Sequence, residues 1–185
     1  MMSRLRPWQI AIGLFVISAL VAHVWMLARI PTMVMSTARA LFIENGAIEN
    51  GWSPSPRVTP ETQRIVRPSP DLAYSICLFD ASSGPVEISA PAWDGYGSLS
   101  IFNERTDNVF VTSLDAAEDA PNQVIVGPEG YVPSPDIAIE GEAPPILILT
   151  GEGVALIRRL APSQALHDAA QSLVDQSVCQ PLSAG

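Results

Sequence analysis

The stretch Leu72–Phe79, LAYSICLF, decides how the chain is read. It is apolar on both alternating faces, which suits a strand covered from two sides. Downstream the same texture repeats in short β-prone runs cut by turn residues. Gly84-Pro85 breaks the chain, and Val86, Ile88 and Ala90 then alternate with Glu87 and Ser89 as a half-buried strand. Ser98–Asn103 and Asn108–Leu114 are two more, separated by Glu104–Asp107. Asn122–Val126 follows, then the turn residues 127–130, then a short candidate at Ile137–Glu140. Ile146–Thr150 and Gly153–Arg158 flank Gly151-Glu152, which reads as a hairpin turn. About eight strands in roughly 90 residues, with turn signals every ~8–12, predict a mainly β fold: an antiparallel β-sandwich or jelly roll.

The last element differs. Ser163, after Pro162, is a helix cap, and Leu166, Ala169, Ala170, Leu173 and Val174 recur at helical spacing through Val178. This predicts an amphipathic helix packed on the sheet, with His167 beside the stripe as a partly exposed structural residue.

Upstream of the β region the chain changes character twice. Ser53 to Pro70 carries Pro54, Pro56, Pro60, Pro68 and Pro70, and reads as a stiff, extended spacer. Its PxxP-like spacing also fits a recognition segment, and Arg57, Arg64 and Arg67 within it could meet lipid headgroups. Before it, residues 32–45 are helix-compatible, with Asn45-Gly46 as the stop. Before that, Ile10 to Ala28 is a run of 19 residues without formal charge. A bilayer core of ~30 Å takes ~20 apolar residues in a helix, and Trp8 and Trp25 stand near the two ends, where indoles favour the interface. The run also meets the alternative of a signal peptide. However, it exceeds the ~7–15 residues of a signal h-region. Arg29-Ile30-Pro31 follows in place of a small-residue cleavage site, and Ala38-Arg39-Ala40 lies far downstream. The expected layout is a transmembrane anchor (1–30), a juxtamembrane helix and proline-rich linker (31–70), and a β-sandwich with its C-terminal helix (71–185).

Charge divides along the same line. The 185 residues carry 10 basic and 19 acidic side chains, net −9, and every basic one is arginine. Arg4, Arg6, Arg29 and Arg39 stand among the first 39 residues without an acid. The remainder holds six arginines and all 19 acids, a balance of −13. An acidic domain without clustered lysine or arginine argues against nucleic acid as a partner. The positives before the span favour a cytoplasmic amino terminus and a C-terminal domain beyond the cytoplasmic membrane, facing a periplasm.

In that setting Cys77 and Cys179 can pair, stapling the terminal helix to the first long strand. The alternative is two separate buried thiols. If the helix runs straight, Cys179 faces away from its apolar stripe, so a bond requires the helix to end first or the pair to lie at a sheet edge. Chemistry is otherwise sparse. One histidine follows the anchor, which leaves no histidine-based metal site, and there is no G-x-S-x-G, P-loop or H-E-x-x-H sequence. No cofactor is expected. Asp115, Glu118 and Asp119 form an acidic loop that reads as solvated surface, with a weak Ca²⁺ site built from oxygen ligands as the alternative. Asp71, Tyr74, Asp94, Tyr96 and Asp107, all near turns, are the candidate binding residues. Trp93-Asp94-Gly95-Tyr96 reads either as a turn or as a loop presenting its rings to a sugar or a protein.

Several short stretches occur in a telling order: Pro70-Asp71-Leu72-Ala73-Tyr74-Ser75, Asp80, Gly84-Pro85-Val86, Pro91, Asp94-Gly95-Tyr96-Gly97-Ser98, Thr106-Asp107-Asn108 and Val126-Gly127-Pro128. Over roughly residues 68–180 the chain resembles the bacterial "domain of unknown function 1254" family. Ser69 and Leu72 depart from its usual motif. The resemblance implies a jelly-roll-like β domain and a partner, a sister membrane-anchored β-domain protein. It carries over no catalytic residue. The resulting expectation is a membrane-anchored, envelope-facing interaction or assembly module whose contacts are the lipid bilayer and that partner. The alternative is a small-ligand-binding or hydrolytic jelly roll using the candidate residues above.

Overall fold

In the computed structural model, which describes residues 6–59, 68–118, 120, 122–131, 144–149 and 151–182, Leu72–Phe79 falls within strand β2 (Leu72–Asp80). The chain begins with α1 (Pro7–Glu44) and β1 (Trp52–Pro54). After β2 come β3 (Val86–Ser89), β4 (Gly97–Asn103), β5 (Asn108–Ser113), β6 (Gln123–Gly127), β7 (Ile146–Ile148) and β8 (Glu152–Leu160). Helix α2 (Gln164–Ser172) runs into a 3-10 turn, Leu173–Gln176, and β9 (Val178–Pro181) closes the order. The strands form a five-stranded sheet, β1-β2-β8-β4-β5, and a four-stranded sheet, β7-β6-β3-β9. The expected strand at Ile137–Glu140 lies outside the described residues, as do Asp119, Arg64 and Arg67.

One core joins the two sheets. Period-two alternation turns Cys77, Phe79, Leu99, Ile101, Ala155 and Ile157 of the five-stranded sheet inward against Val86, Ile88, Val124, Val126 and Cys179 of the other. Each large member is almost fully removed from water, worth about 1.5–3 kcal/mol per side chain by burial. Gly153 is needed at its place in β8 because the Phe79 ring lies where a Cβ would stand.

Every pairing is antiparallel except β6 with β7, which is parallel. This corrects the expected hairpin between residues 146–150 and 153–158. Strand β8 pairs along its whole length with β2 on one side and along most of it with β4 on the other, so it has no edge left for β7. Ile146–Ile148 instead extends the opposite sheet from β6.

Ser163 caps α2 as read, its hydroxyl accepting from the Leu166 amide at 3.2 Å. The buried stripe is rotated from the expected one. His167, Ala170 and Val174 face inward, while Leu166 is 42% exposed and Ala169 is exposed. His167, read as partly exposed, is 2% exposed. The helix stops short of Cys179, which sits on the edge strand β9 and is bonded to Cys77, with Cα atoms 6.5 Å apart. The first of the two routes to the bond is taken, since the helix ends before Cys179; of the pair only Cys179 is on an edge strand, while Cys77 lies on β2 between β1 and β8.

The second surprise is the start of the fold. Trp52–Pro54 pairs with Ser75–Cys77, so the sheet begins inside the segment read as a spacer. The Trp52 indole packs in the core and donates to the Val178 carbonyl at 2.8 Å. Arg57 donates to the Pro162 carbonyl at 2.7 Å and to Gln164 Oε1 at 3.2 Å, which accounts for it without lipid.

Helix α1 explains why LAYSICLF is apolar on its second face. At 38 residues it is the one helix among those described that is long and apolar enough to cross a membrane. Its length is about 57 Å at 1.5 Å per residue, nearly twice a ~30 Å bilayer core. At its C-terminal end Met35 and Phe42 pack on Leu78, Ile76, Val154 and Phe102, the outer face of the five-stranded sheet. Arg39, 4% exposed, is bonded there on every side. Its Nη1 donates to the carbonyls of Gly153 at 2.7 Å and Phe79 at 3.3 Å. Its Nη2 meets Glu49 at 3.2 Å and its Nε meets Glu152 at 3.1 Å. The helix ends at Asn45 as expected, and Gly46 turns the chain with φ +92°.

Asp80, at the end of β2, supplies a pH test. The Ser82 amide, 2.8 Å from Oδ1, and the Ser82 hydroxyl hold its carboxyl below the ordinary value, helped by the Arg39 charge. The folded state thus favours the ionised form, so this contribution is present at neutral pH and fades as pH falls through the lowered carboxylate range. Asp80→Asn should be less stable than the native chain at neutral pH, and urea unfolding curves of the two should converge in acid.

Candidate functional site

The outer face of the five-stranded sheet divides into rows, because residues opposite one another in register point to the same side. The row Leu78–Val154–Phe102–Asn108 lies at the end where α1 packs. Next comes Ile76–Leu156–Ser100–Val111, and then Tyr74–Arg158–Ser98–Ser113. The face is therefore apolar under the helix and polar beyond it. At the polar end β4, β5 and the loop after β5 enclose an open cavity of about 440 Å³.

Its lining includes Ser98, Ser100, Arg158, Tyr96, Asp115 and Glu118. Ser100 is fully buried and Ser98 is 7% exposed, yet neither hydroxyl has a hydrogen-bond partner among the described residues. A buried polar group left unpaired costs about 1–3 kcal/mol, so two on one cavity are notable. Arg158 is half-buried and makes no ion pair among the described residues. Asp115 Oδ1 accepts from the Ala117 amide at 2.9 Å, and the exposed Glu118 stands two residues further along. The arrangement offers one cation, free hydroxyls and two carboxylates around a space for a small polar molecule. Among the described residues no group of three or more His, Cys, Asp or Glu could hold a metal ion.

Of the five residues singled out in the sequence, Tyr96 lines this cavity and is 51% exposed. Tyr74 is the register neighbour of Arg158, but its hydroxyl accepts from the Ser69 amide at 2.8 Å and so closes a turn. Asp71 is exposed, and its carbonyl accepts from the Ala161 amide. Asp94 is exposed in the bend before Tyr96. Asp107 Oδ2 accepts from Asn103 at 3.0 Å within the β4–β5 turn. Asp71 and Tyr74 belong to the turn entering β2, Asp94 and Tyr96 to the bend before β4 and Asp107 to the β4–β5 turn, and of the five Tyr96 alone lines the cavity. The Trp93 ring, read as either turn or exposed platform, is 8% exposed and donates to the Leu160 carbonyl at 3.1 Å.

Ser98, Ser100 and Arg158 were missed, although one signal was present. Period-two alternation in SLSIF sends both serines to the face opposite Leu99 and Ile101. That this face is walled by Tyr96, Arg158 and the acidic loop depends on strand order, which periodicity does not encode. The neighbouring Arg159 points the other way, into the interior at 1% exposure. It donates to the Pro91 carbonyl at 2.9 Å, and burial pushes it down to about 10.

The comparisons with known proteins fall in line with this architecture. The family model described as "Protein of unknown function (DUF1254)" matches residues 50–181. That range begins just ahead of β1 and ends with β9. No curated protein matches the chain. Among solved structures, the crystal structure of the VPA0106 protein from Vibrio parahaemolyticus superposes with a TM-score of 0.59 at 13% identity. The match covers 82% of this chain and 35% of that one. The likeness is one of fold, and this chain spans about a third of the length of that protein.

Proposed function

The chain belongs to the DUF1254 family of proteins of unknown function, and from that premise we propose that it is an uncleaved, single-pass membrane protein whose jelly-roll-like β-sandwich serves as an interaction or assembly module on the periplasmic side. The observation that carries this reading is the seat of Arg39. A leader cut at Ala38-Arg39-Ala40 would take Met35 and Arg39 with it. Leu78 and Val154, 0% and 7% exposed, would lose their cover. A segment built into the fold in this way behaves as an anchor.

The spacing along α1 supports the same reading. Arg29 lies 5.7 Å from the Trp25 ring, an arrangement suited to the far interface. Arg39 follows ten residues later, about 15 Å along the helix. This favours a β-sandwich held close to the bilayer over one on a long tether. The alternating segments of the layout are then an anchor to about residue 30, a helix that docks on the sheet, and a sandwich that begins at β1. A sister anchored β-domain protein is the partner this placement suits, since two such domains would meet in the plane of one membrane. The −13 balance of residues 40–185 and a sequence without a G-x-S-x-G, P-loop or H-E-x-x-H motif support this reading over a hydrolytic one.

The test is direct. Membranes carrying the chain with a periplasm-active reporter fused after Gly185 should show reporter activity and keep the protein through alkaline carbonate washing. Release by carbonate, or activity of a cytoplasmic reporter instead, would overturn the proposal.

A further inference from the structure

The geometry of the outer-face cavity points to a ligand, and we propose that it binds a small zwitterion, a molecule of about dipeptide size with a carboxylate at one end and an ammonium at the other. Ser98 and Ser100 are each more than nine-tenths buried, line the cavity and have no partner for their hydroxyls among the described residues. Protein interiors rarely leave such groups unsatisfied, so they point to a polar guest. On one side of Ser98, in register, stands Arg158, a planar fork of donors suited to a carboxylate. On the other side stands Ser113, two residues before Asp115. Two strand spacings of ~4.8 Å separate the Arg158 and Ser113 positions by roughly 10 Å. The cation and the carboxylates of Asp115 and Glu118 therefore border the same space from opposite sides.

Size and charge both narrow the class. A volume of about 440 Å³ lies in the range of small-molecule sites, ~300–1,000 Å³, and exceeds a single amino acid. A dianion would meet one arginine, two carboxylates and the −13 balance of residues 40–185. A simple cation would leave Arg158 unmatched. A zwitterion satisfies both ends without net charge. Tyr96, half exposed at the rim, can cover the guest.

The experiment is calorimetric titration of the full chain in detergent micelles with Ala-Ala, N-acetyl-Ala-Ala, Ala-Ala-amide and glucuronate. Ala-Ala should bind saturably, and blocking either end should weaken binding at least tenfold. Arg158→Gln should weaken Ala-Ala at least tenfold while leaving no further loss on amidation, because the same interaction has already been removed. Ser100→Ala, a small change that keeps the sheet, should weaken Ala-Ala several-fold. Absence of Ala-Ala binding, equal binding of the blocked forms, tighter binding of glucuronate, or an unchanged Arg158→Gln would each overturn the proposal. None of these outcomes bears on membrane retention, so the anchor reading stands or falls separately.

Discussion

Replacing Cys77 and Cys179 together by alanine should lower the unfolding free energy by about 4–5 kcal/mol, the largest single effect expected in this protein. The bond joins residues 102 apart, and in the chain-entropy account a loop of ~100 residues contributes about 4.7 kcal/mol by restricting the unfolded chain. It also fixes β9, a four-residue edge strand whose one strand partner among the described residues is β3, to β2 in the opposite sheet. Without it, β9 and the 3-10 turn before it should fray first, because short edge strands carry little stability of their own. Tryptophan fluorescence in urea should show the loss, since Trp52 donates to Val178 in that strand. A midpoint close to that of the native chain would mean that the core alone holds the two sheets.

Arg39→Ala should cost about 2–3 kcal/mol, in keeping with hydrogen bonds made by a charged group to buried acceptors. The Gly153 and Phe79 carbonyls lose their donor on a face that α1 covers. Glu49 and Glu152 lose less, because their side chains are 60% and 54% exposed and water replaces the arginine. Glu49→Gln and Glu152→Gln should therefore each cost under about 1 kcal/mol. Arg39→Lys should rescue poorly, since one ammonium cannot reproduce bonds made by Nη1, Nη2 and Nε in different directions. Thermal unfolding of the solubilised chain checks the series, and equal effects of the lysine and alanine variants with the glutamine variants near native is the expected order.

How much of this was legible in the sequence follows from what periodicity can encode. Leu72–Phe79, Val86–Ser89 and the β4–β5 pair are strands because alternation and turn residues are local signals. The stop at Asn45-Gly46 and the cap at Ser163 are local for the same reason. What was missed is long-range. Trp52–Pro54 looked like spacer because three residues between prolines carry no period, yet they pair with β2. Ile146–Ile148 looked like half of a hairpin because Gly151-Glu152 invites a turn, yet both edges of β8 are taken. Arg39 reads from the sequence only as one of four positives in the first 39 residues, because burial of an arginine depends on acceptors from residues 79 and 153, far along the chain. The candidate site shows the same limit. Tyr96 was visible as an aromatic at a turn, whereas Ser98, Ser100 and Arg158 acquire meaning only once β4 lies between β8 and β5.

The central proposal is that the apolar helix α1 is a permanent part of the folded protein. The intact mass of the chain extracted from its membrane tests this most directly. The expected result is a mass that retains α1 (Pro7–Glu44) in full, less two hydrogens for the Cys77–Cys179 bond. A mature mass beginning anywhere between residues 28 and 45 would contradict it, because Met35 and Arg39 would then have been discarded or left without the helix that seats them.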